Sequence, residues 1–311
     1  MSELDTLLRA FGEAGGNRGA LGERETAHLA ASGNAVLSSR TVEGLEMEAV
    51  ETDSGIAARI RLRAGVKLER PVHLCFGVLH EEGNQEIAME VTIEPDARAV
   101  FIAHCIFPKA KKVRHSMNAV VNVGANAGMR YSETHYHGPH GGIEVVPKLK
   151  VQVGRNGRYF TEFALTTGRV GRLDIDYDVT AAADAVAELT TRAFGRGSDE
   201  LMIQERVVLA GENARGLIKA RVALEDQARA EIRGITEGNA AGARGHVDCL
   251  EIVKDQAVAR AVPMVQVNNP QAKVTHEAAI GSVDKRQMET LMAHGLSAQE
   301  AVDVIVKGIL Q

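Results

Sequence analysis

Apolar and polar positions alternate in short runs along most of this chain, and small residues punctuate the runs at a nearly constant interval. The clearest series is Ala97, Ala127, Gly157, Ala185, Ala214, Ala241 and Ala272, with spacings of 30, 30, 28, 29, 27 and 31. Each lies in a turn-like context, among them Pro95-Asp96, Asn126, Asn156, Asp184, Asn213, Asn239 and Pro270-Gln271. Each is followed by strand-like alternation, such as Val100-Phe101-Ile102, Tyr159-Phe160-Thr161 or Lys273-Val274-Thr275. A second series falls midway, near Gly142, Gly171, Asp199, Ala228 and Ala257. A corner that returns about every thirty residues, with a half-turn between, predicts a coil of parallel strands whose equal offsets stack. The expected fold is therefore mainly β, a parallel β-helix spanning 45–283.

The ends carry a different period. Leu4, Leu7, Leu8 and Phe11 form the stripe of an amphipathic helix over Ser2 to Glu13, stopped by Gly15-Gly16. The following residues are small and polar and read as a linker, so 1–44 is expected to be a helical segment plus linker. After Val283, Asp284 with Gln287 opens a helix through Met288, Leu291 and Met292, which Gly295 ends. Ser297 with Glu300 repeats the start signal before Ala301, Val304, Ile305 and Ile309. Residues 284–311 thus predict a helical hairpin, either a cap on the last coil's open edge or a docking surface.

Composition narrows the classes. Apolar residues make up 45% of the 311, yet aromatics only 4% with no Trp, which suits narrow coils filled by Val, Ile, Leu and Ala. The scarcity of Trp and Tyr argues against sugar-stacking grooves. Net charge is −5 with the signs interspersed, which points to neither nucleic acid nor an anionic membrane. The one basic run, Lys109 to His115, reads as a solvated turn. No apolar stretch approaches the roughly 18 residues of a membrane span, and no signal-peptide pattern is present. Three scattered cysteines argue for a reducing compartment, so a cytoplasmic location is expected.

Solenoid register turns separated residues into neighbours. Eight residues beyond Ala97, Ala127 and Ala241 stand Cys105, His135 and Cys249, expected on one wall of the coil. Near the C-terminal end, Cys249, His246, His276 and Glu277 fall on the same or adjacent coils, a thiolate, imidazole and carboxylate set that suits iron or zinc. A strand cysteine is also ordinary core filler, the reading taken for Cys75 and Cys105. A second set, His135, His137 and His140 with Glu133 and Glu144 nearby, resembles the His-x-His of cupin barrels and would serve a metal-dependent enzyme. A Gly-rich turn with solvated histidines is the competing reading. No Gly-x-Ser-x-Gly elbow and no Gly-x-x-x-x-Gly-Lys-Ser/Thr loop occurs, so this chain is expected to bind no nucleotide itself.

The segment from Val262 to Ala278, with Pro263, the Asn269-Pro270-Gln271-Ala272 turn and His276-Glu277-Ala278, resembles the SufB/SufD family of iron–sulfur cluster assembly proteins. The likeness continues through Ile280-Gly281 and Gln287 to Gly295-Leu296-Ser297 and Glu300-Ala301. It is specific over 240–311, and the periodicity extends it to about residue 90. The resemblance implies a right-handed parallel β-helix that dimerises through its C-terminal region, with itself or a sister subunit. It implies that 284–311 docks a SufC-like ABC-type ATPase, and that a transient iron–sulfur cluster is built at the dimer interface by a non-enzymatic scaffold. The family's interfacial histidine falls on His276 and the following Glu on Glu277, while Thr275 replaces an acid. Counting back without gaps puts the family's cysteine on Asp248. Cys249, one residue later, is the candidate thiol.

Overall fold

Asp96, Asn126, Asn156, Asp184 and Asn213 all adopt positive φ, between 54° and 63°, in the computed structural model of this chain, which describes residues 2–310. Asn and Asp tolerate the left-handed region better than other side chains, because a short polar group can bond locally. Each reverses the chain and delivers the next residue to the inside of a corner, where only a small side chain fits. Ala97, Ala127, Ala185 and Ala214 are accordingly no more than 1% exposed. The Asx residues also bond along the stack: Asn156 Nδ2 donates to Asn126 Oδ1 at 2.9 Å, and Asn126 Nδ2 to Asp96 Oδ1 at 3.1 Å. The corner series therefore reports side-chain volume and backbone handedness together.

One member of the series differs from expectation. Arg215 pairs with Arg244, which stacks Ala214 on Ala243 and not on Ala241. Gly242, at φ 69°, supplies the left-handed residue in place of Asn or Asp. The turn that begins at Asn239 absorbs two more residues than the alternation suggests, so every offset counted from Ala241 shifts.

From Val72 onward the strands mostly alternate between two ten-stranded sheets and pair in parallel with the strand one coil away. In the first sheet Arg98 pairs with Gly128, Gly128 with Arg158, Arg158 with Val186 and Val186 with Arg215. Inward positions from both sheets form one core, from Ala27 to Cys249, of mostly Val, Ile, Leu, Ala and Met with a few Phe and Tyr. The N-terminal coils end in antiparallel hairpins: His28–Ser32 pairs with Ala35–Arg40, and Leu45–Glu51 with Gly55–Leu62. The segment read as a linker is thus part of the solenoid. His28–Ser32 is buried throughout and pairs with Val72–Gly77. Its missing alternation has a physical cause, since both of its faces are covered.

That cover is helix α1 (Glu3–Glu13), with the capping box of Ser2 and Asp5 at its start. Leu7, Ala10 and Phe11 pack on Ala30, Cys75 and Ile106, on the outer face of the first sheet. A short helix, α2 (Arg18–Gly22), follows. At the other end α3 (Lys285–Ala293) starts where Asp284 Oδ1 accepts from the Gln287 amide at 2.8 Å, and Gly295 at φ 98° ends the turn beyond it. Helix α4 (Ala298–Ile309) opens on the expected Ser297/Glu300 capping box. Its Val302, Val306 and Leu310 pack on Phe194 and Ala223. The hairpin therefore folds back along the outside of the first sheet, and the last coil keeps an open edge.

Candidate functional site

Strand Arg244–Val253 alternates outward polar with inward buried residues: Val247 and Cys249 face in, while His246 and Asp248 face out. The last strand of the first sheet, Lys273–Gly281, pairs with it without a bulge from Arg244↔Lys273 to Ile252↔Gly281. His276 takes the place over Val247, on the inner face, and Ala278 the place over Cys249. Glu277 takes the place over Asp248, on the outer face. The structure thus brings Cys249 and His276 to one side of adjacent strands and directs Glu277 to the other. His246 also faces outward, where its Nδ1 lies 2.8 Å from Thr275 Oγ1. His276 and Glu277 are both exposed, because no further coil covers this edge.

Cys249 is 1% exposed, and burial with the nearby acids Glu251 and Glu205 pushes its thiol up to about 12. At neutral pH it is a thiol, and a metal must displace its proton. Two further groups share this interior, and neither was singled out from sequence. Glu251, two positions beyond Cys249 on the same inward parity, is fully buried, and both its carboxylate oxygens lack a partner. Burial raises it to about 7, against the opposing pull of Arg221. Glu205 on the facing sheet accepts from Thr191 Oγ1 at 2.7 Å, while its other oxygen is unpartnered. Buried carboxyl oxygens without partners are costly, and the last closed coils collect three of them, on Glu205 and Glu251, beside a thiol. The signal in the sequence is an acid at an inward position of a strand.

The expected wall of Cys105, His135 and Cys249 resolves into two columns. Cys105 pairs with His135. Cys249 instead stacks in the column of Glu133, Phe163, Thr191, Ala220 and Ala278. The two-residue shift at Ala243 accounts for the difference. Strand Gly128–His137 turns Tyr131, Glu133, His135 and His137 inward, all buried, in the middle of the solenoid. His140 lies in the exposed turn beyond, so the three histidines expected as a cupin-like set are not assembled. Glu144 is held outside by Arg114. Cys75 is filler, as expected, buried beneath α1.

No helix among the described residues is long and apolar enough to cross a membrane. A family model described as "SUF system FeS cluster assembly, SufBD core domain" matches residues 80–309. An iron–sulfur cluster assembly SufBD family protein of Methanocaldococcus jannaschii is 44% identical over 268 residues, covering 86% of this chain and 85% of that protein. One from Pyrococcus horikoshii is 32% identical over 310 residues, covering 100% of this chain and 94% of its own. A third, from Archaeoglobus fulgidus, is 27% identical over 81% of this chain and 67% of its own length. A coil of parallel strands, the Asn-Pro-x-Ala turn leading to His276, and a match that runs through the C-terminal hairpin agree with one another: the chain belongs to the SufB/SufD family.

Proposed function

We propose that this chain is a non-enzymatic scaffold on which an iron–sulfur cluster, as cargo, is assembled between two copies before transfer to a recipient. The observation that carries this reading is the open C-terminal edge. Among the described residues, strand Lys273–Gly281 has no neighbour on one side, and it presents His276 on the same inner face as the buried Cys249. Exposed Val258, Met264, Val265, Val267 and Ile280 cluster on these last strands. Unpaired strand edges and apolar patches of this kind are normally covered, and a second copy joined across a two-fold axis covers both at once. Cys249 supplies soft ligation and His276 an exchangeable nitrogen. Glu277 faces away from them and serves the contact between copies rather than the same iron. The exposed side of α3 and α4, with Met292 and Val304, is the docking surface for a SufC-like ATPase, and the assembly works in the cytoplasm.

Anaerobic reconstitution with ferrous iron and sulfide tests the site. The unaltered chain should develop a cluster chromophore; Cys249→Ser should lose it with folding intact, because the volume change is small. His276→Ala should bind less iron and release it faster to a chelator. A Cys249→Ser chain that bound as much iron and sulfide as the unaltered one would overturn the assignment.

A further inference from the structure

The interior of the middle coils holds a second set of donors, far from the open edge and independent of the reading above. The ligand atoms of Cys105, Glu133 and His135 all lie within 4.8 Å of one another, and all three side chains are buried. Cys105 Sγ donates to Glu133 Oε1 at 3.6 Å, and His135 Nε2 stands 2.6 Å from that same oxygen. Glu133 Oε2 accepts from the Tyr131 hydroxyl at 2.9 Å. Three groups with three different donor elements therefore converge on one point beside Glu133 Oε1. From this geometry we propose that Cys105, Glu133 and His135 form a structural site for one divalent transition ion, zinc(II) or iron(II), inside the solenoid.

The surroundings orient the donors as a metal site requires. The Arg169 carbonyl can only accept, so His137 Nδ1, 3.2 Å away, must donate to it. With Nδ1 committed to that carbonyl, Nε2 is the ring atom His137 turns toward His135. His135 Nδ1, at 3.1 Å, therefore donates to His137 and leaves Nε2 as the atom aimed at Glu133. A metal-bound histidine is typically fixed in this manner, by a hydrogen bond from its other ring nitrogen. His115 is an uncommitted donor nearby: its ring lies 5.9 Å from that of His135, and its Nδ1 has no partner.

Distances and charge both fit. Ligands at about 2.0–2.3 Å from a tetrahedral ion lie roughly 3.3–3.8 Å apart. The Cys105–Glu133 separation already matches, and the His135–Glu133 contact needs to open by about 0.7 Å. Without metal, the set holds one thiol proton and one proton shared between His135 and Glu133. Coordination forms the S–M, O–M and N–M bonds and releases both protons to solvent, so a dication replaces two unit charges. The interior keeps its net charge, and the cost of burying an ion is avoided. A fully enclosed site loads as the coils close around it.

The experiment uses the full chain with Cys249→Ser, so that the C-terminal thiol cannot contribute, produced in media supplemented with zinc(II), iron(II) or cobalt(II). The expected result is one ion per chain retained against EDTA. The cobalt form should show a thiolate-to-cobalt charge-transfer band, and X-ray absorption at the metal edge should give one sulfur with nitrogen and oxygen neighbours. The added variants Cys105→Ser, Glu133→Gln and His135→Gln should each lose the band and at least tenfold in metal retained. A chain that carries no ion from any of the three media would overturn the proposal, as would a metal-edge spectrum without sulfur. Should a variant fail to fold, the spectrum of the chain with this cluster unaltered decides.

Discussion

Glu205 is 1% exposed, and burial raises its carboxyl to about 7 although Thr191 donates to it. In the unfolded chain a glutamate ionises near 4.3. The folded state therefore favours the protonated form: its contribution is fully present below the unfolded value and is lost as pH rises through about 7. The difference amounts to about 4 kcal/mol of stability between the two limits. Glu205→Gln keeps an acceptor for Thr191 and cannot ionise. Denaturant unfolding at pH 5 and pH 8 should show the variant more stable than the unaltered chain at pH 8 and close to it at pH 5; equal stability at both would refute the buried-acid account. The contrast between residues that were legible and those that were not is sharpest here. Asn126 before Ala127 announces itself, because a left-handed turn accepts few residue types. Glu205 within Gln204-Glu205-Arg206 looks like one more surface charge until strand parity turns it inward.

At the scale of elements, capping chemistry made both C-terminal helices readable, and the bonds at Asp284 and Ser297 appear where the sequence places them. What they pack against was not readable, because the stripe expected at Ala301, Val304, Ile305 and Ile309 says only that one face is covered; the packed face carries Val302, Val306 and Leu310, and Val304 is exposed. Docking on Phe194 and Ala223 leaves α3 with no buried residue and exposes Met292 and Val304. Under the proposed docking role, deleting 284–311 should abolish co-purification of a SufC-like ATPase while removing only a small part of the apolar packing. Far-ultraviolet circular dichroism should retain the strand signature. A truncated chain that still held the partner would disprove the docking role. The strand His28–Ser32 was hidden for the opposite reason: α1 covers the face that alternation expects to be polar.

The whole molecule is one continuous core with unlike ends. Sequence periodicity conveyed the stacking, but a single two-residue error at Ala243 moved Cys249 out of the Cys105 column, since every offset in that coil is counted from its corner; Ala272 stacks on Ala243 and restores the series. At the C-terminal end the edges are parallel strands with apolar side chains. At the N-terminal end they are reversed strands, Ala35–Arg40 and Leu45–Glu51, and the second carries Glu46, Glu48 and Glu51. Sedimentation should accordingly find monomers and dimers over a broad concentration range and no larger species. Val267→Arg should shift the balance to monomer; an unchanged dimer would exclude the last strands as the contact. The reversed hairpins leave the molecule with one open apolar tip and one blunt one. The proposed tip-to-tip join would use up both apolar surfaces, so growth would terminate itself at two, with no fibre.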